Sequence, residues 1–514
     1  MELAKSFFIF FLIGNCLAEI RNVRQAETEF RFASYYANQM VLQRGPQRAN
    51  IWGFADRSDI GANVTLTVTD STNANITTDY AAVVRDGPTP SDAMWEVLLN
   101  AETSQNPFTI TARLNQRTEQ LTNVLFGDIW FCSGQSNMVH TVGRLDNPDD
   151  ELDTVENFPD VRIFRVNTVT ADNPLFDLPF NGIVQNWELP TYESIEQFSA
   201  ICWLYGKEMH IQKGYPIGLI TSAWGGTRIE EWMSPDAMNA CNAEDLAAEY
   251  LWNAMIHPFL PMTLYGSLWY QGEGNAGQSA EYSCLFPAMI SDWRTKWNAR
   301  NAQTSAQFPF GFVQLAPNAD NDVDIGFPDL RWAQTANVGY NPNPQMPGTF
   351  MAVAMDQPDF DSPYGTVHPR YKRPLADRLV LGGRNIAYNE TFVVHQGPFP
   401  TTIVRGASGV GIDIQYDNAN TRVDVRTVEG FEICCSEDED EQCPVVGIAE
   451  WEGAPILEVR TTSITIQAQC ADASDFIVGV RYAWRVSPCA RNQCAIYSAQ
   501  TSLPGPPFIH WAVL

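Results

Sequence analysis

The first part of the chain alternates hydrophobic and polar positions in short segments. Between about residue 26 and residue 122, these segments are separated by turns rich in Gly, Pro, Asn and Asp, and examples are "ANVTLTVTD", "MWEVLLN" and "PFTITARL". A period of two is typical of strands that bury one face, and no helix-length periodic stretch interrupts the series. The pattern predicts an antiparallel β-sandwich over residues 19–122.

The pattern changes near residue 123, where continuous apolar runs begin to alternate with longer amphipathic segments. The apolar runs predict buried strands, namely "GDIWFCS", "YPIGLITSA", "LYGSLWYQ", "PFGFVQLA" and "GTFMAVAMD". The amphipathic segments predict helices, namely "IEQFSAICWLYGKEMHIQKG", "EDLAAEYLWNAMI", "CLFPAMISDWRTKWNAR" and "KRPLADRLVLGGRNIAY". Strands that alternate with helices indicate an α/β domain with a parallel sheet, here over residues 123–391. Strand-like segments then return and predict a C-terminal β-rich domain over residues 392–514.

The N-terminal segment has the pattern of a secretory signal peptide. Lys5 precedes an apolar run over residues 7–13, and small residues end at Ala18, so we expect cleavage after residue 18. The run is too short to span a membrane, and no later stretch of about 18 apolar residues occurs. Glycosylation sequons, which are consistent with export, begin at Asn63, Asn75 and Asn389. The sequence therefore predicts a secreted or lysosomal glycoprotein without membrane insertion.

The cysteines also indicate an oxidising compartment. The chain has 11, and loss of Cys16 with the signal peptide leaves ten, an even number. Six of them lie in the tail, at Cys434, Cys435, Cys443, Cys470, Cys489 and Cys494. Because their spacing is not that of paired CxxC motifs and no histidine lies between them, we expect disulfides and not a zinc site. We expect a C-terminal domain that is crosslinked by disulfides and whose integrity is separable from the chemistry.

Length and charge narrow the class of protein. A chain of 514 residues exceeds one comfortable hydrophobic core, which favours two to four domains. Hydrophobic residues make up 45% and charged residues 18%, as in folded globular proteins. The formal net charge of −28 argues against nucleic acid and anionic membrane surfaces as partners.

The segments that follow the predicted α/β strands carry the candidate chemistry. Ser136, in "DIWFCSGQSNM", either caps a helix or acts as a nucleophile whose oxyanion is bound at the helix N-terminus. Three later strands are followed by "SAWGGTRIEEW", "WYQGEGNA" and "DQPDFDSPYGTVHP". Ligand sites of parallel sheets lie beyond the C-terminal ends of the strands, so these four segments are expected to meet. Together they contain a nucleophile, a base and oxyanion donors, which acyl transfer requires.

A serine nucleophile requires a base, and the chain has six histidines. Of these, His368 lies on a loop that follows a buried strand, with acidic residues close by. The others lie on or at the end of predicted helices, or at or beyond the last α/β element, namely His140, His210, His257, His395 and His510. His368 is therefore the predicted general base.

The order of these motifs resembles that of the SGNH hydrolase superfamily and, within it, of the sialate O-acetylesterases. The motifs are Gly-Gln-Ser-Asn-Met, Trp-Gly-Gly-Thr, Gln-Gly-Glu-x-Asn and a late His-Pro. The resemblance extends over nearly the whole mature chain, including the ending "RYAWRVSPC…LPGPPF". It implies a flavodoxin-like α/β hydrolase domain flanked by β-rich regions. It also implies release of acetate from O-acetylated sugars, 9-O-acetylated sialic acids above all.

The resemblance implies roles for individual residues. Ser136 would be the nucleophile and His368 the general base, without a cofactor or a metal ion. The oxyanion hole would consist of the Ser136 amide, an amide of Gly225 or Gly226, and the Asn275 side chain.

The orienting acid departs from the superfamily pattern. The superfamily commonly places Asp three residues before the base, where this chain has Gly365. We prefer Asp359 for this role, and Asp356, Asp361 or a backbone carbonyl could serve instead.

Three functions remain open from the sequence. The first is a sialic acid O-acetylesterase, and the second is an esterase with the same catalytic residues that acts on other acetylated glycans such as xylan. The third is a non-catalytic glycan-binding protein, against which the intact serine, asparagine and histidine set counts. Arg228, beside the Gly-Gly turn, could pair with a sialate carboxylate, or it could be bridged to Glu230 or Glu231.

Overall fold

The structure is a computed structural model that describes residues 30–243, 249–319, 326–406, 411–445 and 451–512. The predicted signal peptide, residues 1–18, lies outside these ranges. Among the described residues, no helix is both long and apolar enough to cross a membrane.

The N-terminal region consists mainly of antiparallel strands, as the alternating pattern predicts. Its strands are β1 (Phe30–Phe32), β2 (Val41–Gln43), β3 (Asn50–Ala55), β4 (Asn63–Asp70), β5 (Thr77–Val83), β6 (Arg85–Asp86), β7 (Ala93–Leu98), β8 (Phe108–Leu114) and β9 (Arg117–Gly134). One antiparallel sheet has the order β1-β3-β7-β6. Strand β4 pairs antiparallel with β5 and β8, and β8 pairs antiparallel with β9. Strand β9 also pairs parallel with β2 and joins this group to the sheet of the α/β region. In β4, Val64, Leu66 and Val68 are buried and their neighbours are more exposed, so one face of the strand packs on the core.

The α/β region contains the parallel sheet that the sequence predicts. Its further strands are β10 (Val161–Val166), β11 (Ile183–Glu188), β12 (Ile217–Ala223), β13 (Gly266–Tyr270), β14 (Phe310–Gln314) and β15 (Thr349–Val353). The order is β11-β10-β12-β9-β13-β14-β15, in which β11 is antiparallel to β10 and the other neighbours are parallel. The strands β12 to β15 are fully buried, which explains their continuous apolar sequences.

Strand β9 runs through the predicted domain boundary at residue 122. Its first part pairs antiparallel with β8, and residues 128–134 pair parallel with β12 and β13. Asn123, at the junction, has a φ of 54°, a left-handed conformation that asparagine tolerates. One strand therefore belongs to both regions, and it leads directly to Ser136.

The helices lie between the strands of the α/β region. They are α1 (Ser136–Val139), α2 (Pro148–Leu152), α3 (Tyr192–Glu196), α4 (Ala200–Lys213), α5 (Pro235–Asn239), α6 (Ser279–Arg300), α7 (Phe327–Ala333) and α8 (Arg373–Gly382). Short 3-10 and π turns occupy Arg57–Asp59, Val142–Arg144, Val155–Asn157, Ile229–Trp232, Trp252–Ile256, His257–Phe259, Glu273–Asn275, Gly383–Ala387 and Asp417–Ala419.

Two helices in the structure differ from those predicted from the sequence. The segment predicted as one helix over 195–214 is broken between α3 and α4, because the Ser199 hydroxyl accepts a hydrogen bond from the Cys202 amide at 3.3 Å and caps α4. In the helix predicted for "EDLAAEYLWNAMI", residues 244–248 lie outside the described residues, and Trp252–Ile256 forms a π turn.

The C-terminal region is β-rich, as predicted. Its strands are β16 (Pro400–Arg405), β17 (Gly411–Tyr416), β18 (Val423–Val425), β19 (Phe431–Ser436), β20 (Trp451–Gly453), β21 (Ile456–Val459), β22 (Ser463–Gln467), β23 (Phe476–Tyr482), β24 (Ile496–Ser498) and β25 (Phe508–Trp511). They form antiparallel sheets of order β16-β17-β22-β21, β18-β24 and β20-β19-β23-β25.

Disulfides crosslink the tail, which confirms that prediction. The pairs there are Cys434–Cys443, Cys435–Cys470 and Cys489–Cys494. The other two pairs, Cys132–Cys202 and Cys241–Cys284, lie in the α/β region. All ten cysteines that follow the predicted signal peptide are therefore paired.

Candidate active site

The four predicted segments meet at the C-terminal edge of the parallel sheet, where Ser136 begins α1. Gly134 makes this close approach possible, because a Cβ atom there would lie 2.2 Å from the Tyr270 carbonyl oxygen and its φ is 135°. The Trp224 amide donates to the Gly134 carbonyl at 3.0 Å, and the Gln135 amide donates to the Tyr270 carbonyl at 2.9 Å. The ends of β9, β12 and β13 are thus hydrogen-bonded around the serine.

Backbone N–H groups lie next to Ser136 without a protein acceptor. A Cβ atom at Gly225 would lie 3.3 Å from the Ser136 Cβ, so this glycine is in direct contact with the serine. Within the described part of the chain, the amides of Ser136, Gly225 and Gly226 donate to no protein group. At Gly226, with a φ of 81°, an added Cβ would meet open space. Such amides can bind an anion that develops beside the serine.

His368 is half-buried and its ring is oriented by the backbone. Its Nδ1 lies 2.7 Å from the Tyr364 carbonyl oxygen, so a neutral ring carries its proton on Nδ1 and keeps Nε2 as the acceptor. Burial lowers the pKa of His368, and this favours the neutral form that a general base needs. Ser136 Oγ and His368 share no direct hydrogen bond in the described structure, as is common before substrate binds.

The predicted orienting acid is not placed at this histidine. Both carboxylate oxygens of Asp359 accept hydrogen bonds from the Arg370 guanidinium at 2.7 Å. Asp356 is paired with Arg378, and Asp361 is exposed. The buried Asp359 carboxylate is thus paired with an arginine and not with the imidazole. The geometry favours the remaining alternative, in which a backbone carbonyl orients His368.

His140, which follows Ser136 on α1, is unsuited to be the base. It is 1% exposed and its Nε2 is bound at 3.0 Å to the Arg144 carbonyl. Burial, followed by the charge of Lys372, lowers its pKa to about 3. Its ring is nearly perpendicular to that of Tyr364, with the two ring centres 5.5 Å apart, so it packs beside the loop that carries His368.

A buried polar network joins the serine segment to the histidine segment. The Nδ2 atom of Asn137 donates to the Val367 carbonyl at 2.9 Å and to the Glu273 carboxylate. Its Oδ1 atom accepts from Lys372 Nζ at 2.5 Å. Burial raises the pKa of Glu273 and lowers that of Lys372 to about 7, because both charges are removed from water. The residue after Ser136 is thus fixed to the residue before His368.

Asn275 is held by a second buried network. Its Oδ1 accepts from the Ile229 amide at 2.9 Å and from Gln271 Nε2 at 2.7 Å. Its Nδ2 donates one N–H to Glu230 at 2.9 Å, and an amide nitrogen carries two. The position and orientation of this side chain are therefore fixed before any ligand binds.

Arg228 adopts the bridged alternative of the two that the sequence left open. Its Nη2 atom donates to Glu230 at 3.1 Å and also to Gln278, and its amide donates to the Glu231 carboxylate at 2.9 Å. Since Glu230 also accepts from Asn275, the arginine compensates the buried carboxylate that positions Asn275.

Several residues of the site were not singled out by the sequence, although they lie in the same motifs. Gln135 Oε1 accepts from the Gly274 amide at 2.9 Å and so joins the serine segment to the Asn275 segment. Asn137 and Glu273 lie beside residues that were singled out, and Lys372 lies four residues after the base. Across the described ranges, no group of three or more His, Cys, Asp or Glu side chains could hold a metal ion.

Comparisons with known proteins identify the family of the chain. The family described as "Carbohydrate esterase, sialic acid-specific acetylesterase" matches residues 126–340, and the sialate O-acetylesterase C-terminal domain matches residues 402–512. The mouse sialate O-acetylesterase is 38% identical, over 95% of this chain and 95% of that protein. The human sialate O-acetylesterase is 40% identical, over 95% of this chain and 93% of that protein. This chain belongs to the sialate O-acetylesterase family.

A solved structure shares this architecture. A carbohydrate acetylesterase from Xanthomonas citri is 25% identical, with a TM-score of 0.75, over 93% of this chain and 99% of that one. As a member of the sialate O-acetylesterase family, the chain is a carboxylic ester hydrolase with an α/β esterase domain and β-rich flanking domains. The esterase-domain match contains Ser136 and Asn275, whereas His368 lies between the two matched segments.

Proposed function

We propose that this esterase removes O-acetyl groups from sugars through an acetyl-enzyme on Ser136. Ser136 Oγ attacks the acetyl carbonyl while His368 Nε2 takes its proton, and the sugar alcohol leaves with that proton. A water molecule that gives a proton to His368 then attacks the acetyl carbonyl of the acetyl-enzyme. The bond to Ser136 breaks, Oγ takes the proton back from His368, and acetic acid leaves and ionises to acetate. The observation that carries this proposal is the 2.9 Å hydrogen bond from Asn137 to the Val367 carbonyl, which joins the neighbours of the two reacting residues.

The Tyr364 carbonyl takes the orienting role in this mechanism. It accepts from His368 Nδ1, holds the productive tautomer and stabilises the imidazolium that forms when the serine proton is transferred. Because a carbonyl carries only a partial charge, it stabilises the imidazolium less than a carboxylate would.

The proposed oxyanion hole combines backbone and side-chain donors. The donors are the amides of Ser136 and of Gly225 or Gly226, together with the second N–H of Asn275. The contact of Gly225 with Ser136 favours Gly225 over Gly226. Donors that are fixed before the reaction stabilise the tetrahedral intermediate without reorganising.

Replacing Asn275 with alanine tests this assignment. We expect kcat to fall about 10²- to 10³-fold, the usual cost of one lost oxyanion donor, with little change in KM. The same change leaves the Oε2 atom of Glu230 and the Ile229 amide without their hydrogen-bond partner, so Tm is expected to fall as well. Turnover must therefore be measured per folded molecule, by titrating active sites. A variant that melts early but turns over normally per active site would mean that Asn275 only supports the loop.

The preferred substrate under this proposal is a 9-O-acetylated sialic acid. The mouse, rat and human relatives are named sialate O-acetylesterases, which supports this choice over acetylated xylan. Acetate release from the two substrates should be measured side by side. We expect kcat/KM to be about ten-fold higher or more on the sialic acid, since substrate hydroxyl and carboxylate groups provide discrimination of that order. Higher activity on xylan would favour the alternative esterase, and release from neither would favour a glycan-binding protein.

The pH profile follows from the direction of the His368 pKa. The base acts in its neutral form, and burial lowers its pKa below the ordinary 6.5, so it stays neutral to lower pH than a free histidine. We expect the acidic limb of kcat/KM to have its midpoint below 6.5. Hydrolysis of a neutral aryl acetate between about pH 4 and pH 8 measures it without titration of the substrate. A midpoint at or above that of a free histidine would contradict the assignment.

We further propose that the protein is secreted or lysosomal and carries glycans at its three sequons. The five disulfides support an oxidising compartment. Asn63, Asn75 and Asn389 are all exposed, as glycosylation requires. The proposed units are the N-terminal sandwich to residue 122, the esterase domain over 123–391 and the C-terminal domain from 392, with β9 shared by the first two.

A further inference from the structure

The loop that carries His368 touches the C-terminal domain at both of its ends. We name this segment, residues 354–372 between β15 and α8, the base loop. Its contacts are made largely by the segment that the Cys489–Cys494 disulfide closes, which we name the disulfide loop, residues 489–494. The two segments are more than a hundred residues apart in sequence, as the separation of 135 between Gln357 and Asn492 shows.

The start of the base loop is bound to the disulfide loop by hydrogen bonds. The Asn492 amide donates to the Asp356 carbonyl at 2.9 Å, and its Oδ1 accepts from Gln357 Nε2 at 2.6 Å. Tyr497, just after the disulfide loop, donates its hydroxyl to Asp356 Oδ2 at 3.1 Å. Asp356 and Gln357 are at most 1% exposed, so these bonds satisfy the hydrogen-bonding capacity of polar groups that are buried in the esterase domain.

The end of the base loop is bound by the residue next to Asn492. The Arg491 guanidinium lies 3.9 Å from the centre of the Tyr371 ring, within the range of a cation–π contact. Tyr371 directly precedes Lys372, whose ammonium donates to Asn137 beside the proposed nucleophile. Two adjacent residues of the disulfide loop thus contact the two ends of the base loop.

Fixing these ends fixes His368, because the base loop is closed by its own hydrogen bonds. The Asp359 carboxylate binds the side chain and the backbone amide of Arg370. Ser362 Oγ donates to the His368 carbonyl at 2.8 Å. Because these hydrogen bonds close the loop on itself, we expect a displacement at Asp356 or Tyr371 to shift the imidazole.

The disulfide loop is itself attached to the esterase domain near its base. Arg331 on α7 donates to the carbonyls of Arg485 and Val486 at 2.7 and 2.8 Å, and it is fully buried. Ser487 Oγ donates to the Ala319 carbonyl. The segment that leads into the disulfide loop is thus in a fixed position relative to the catalytic sheet.

We propose that the disulfide loop of the C-terminal domain is a positioning element for the general base, and that Asn492 is its principal positioning residue. The inference rests on the proposed role of His368. It reverses the expectation that the integrity of the tail is separable from the chemistry. A misplacement of about 1 Å at a catalytic group can cost up to about 10²-fold in rate, so contacts of this kind affect turnover without touching the substrate.

The test compares Asn492→Gly, Tyr497→Phe and the double variant with wild type, using a neutral aryl acetate so that the identity of the sugar does not matter. Asn492 has a φ of 58°, and glycine removes the side chain without adding strain at this left-handed position. We expect kcat per titrated active site to fall about ten-fold in the double variant, and less in each single one, with KM within about two-fold. The rate of labelling of Ser136 by a fluorophosphonate should fall in parallel. Cys489→Ser/Cys494→Ser, which opens the loop, should have the same signature.

Matched variants separate positioning from general stability. Asn492→Asp keeps the Oδ1 acceptor for Gln357 and should restore most of kcat. Asn418→Gly is the control, because Asn418 also has a left-handed backbone, with a φ of 53°, and lies in the same domain away from the base loop. Normal kcat per active site in the double variant and in the opened loop would overturn the proposal. His368→Ala is measured alongside these variants to distinguish failure of the positioning proposal from failure of the proposed function. An active His368→Ala protein would overturn the assignment of the base itself.

Discussion

Ser136→Ala is expected to abolish ester hydrolysis, with kcat falling by about 10⁴-fold or more because the covalent route through the acetyl-enzyme is lost. Folding should be unaffected. Ser136 is half-buried at the start of α1, and its hydroxyl makes no hydrogen bond to the described residues, so Tm should stay within about 2 °C of wild type.

The measurement is acetate release together with labelling by a fluorophosphonate, which reacts with an activated serine. Ser133→Ala is the matched control, because Ser133 lies on the same strand, is fully buried and has a hydroxyl without a hydrogen-bond partner in the described structure. We expect that control to keep both activity and labelling. A folded Ser136→Ala protein with more than a few per cent of wild-type turnover would refute the serine mechanism.

His368→Ala is expected to have the next largest effect, a fall in kcat of about 10³- to 10⁴-fold. Positioned proton transfer contributes up to about 10⁴-fold to catalysis, and the serine hydroxyl is a weak nucleophile at neutral pH without its base. The hydrogen bond from the Asn137 side chain is accepted by the backbone carbonyl of Val367, so it survives the change at residue 368 and keeps the serine segment in place. KM should therefore change little.

His510→Ala is the control for this variant, since His510 is also half-buried but lies on β25, in the C-terminal sheet. Adding imidazole to His368→Ala should restore part of the activity, because the half-buried site is open to a small base. If His368→Ala lowers Tm but leaves turnover per active site unchanged, His368 is instead a structural residue.

The sequence by itself determined the classes of the elements and the edge at which the site lies. The strands β12 to β15 are continuous apolar runs because both faces of a parallel sheet are buried, and the N-terminal strand β4 alternates because one of its faces is solvated. Once strands and helices alternate, the C-terminal ends of the parallel strands share one edge. For this reason the motifs that hold Ser136, Asn275 and His368 could be placed together without coordinates.

Tertiary structure alone decided which partner each polar group takes. The sequence left Asp356, Asp359, Asp361 and a backbone carbonyl as candidates for orienting the base. In the structure, Arg370 binds both carboxylate oxygens of Asp359, and the Tyr364 carbonyl binds His368. For Arg228 the sequence left open a sialate carboxylate or a neighbouring glutamate, and in the structure its guanidinium donates to the buried Glu230. A carboxylate and an arginine form a buried ion pair where the fold removes both side chains from water at the same place. That place is set by tertiary packing and not by the local sequence pattern.

The same holds for contacts across long stretches of chain. Asn137 and Lys372 are separated by 235 residues, and Gln357 and Asn492 by 135. Hydrophobic period and turn residues carry information about neighbours within a few residues, so they predicted the strands on either side of these contacts. They carry no information about which loop of one domain binds the buried polar groups of another, and this is why the contacts between the disulfide loop and the base loop could not be predicted from the sequence.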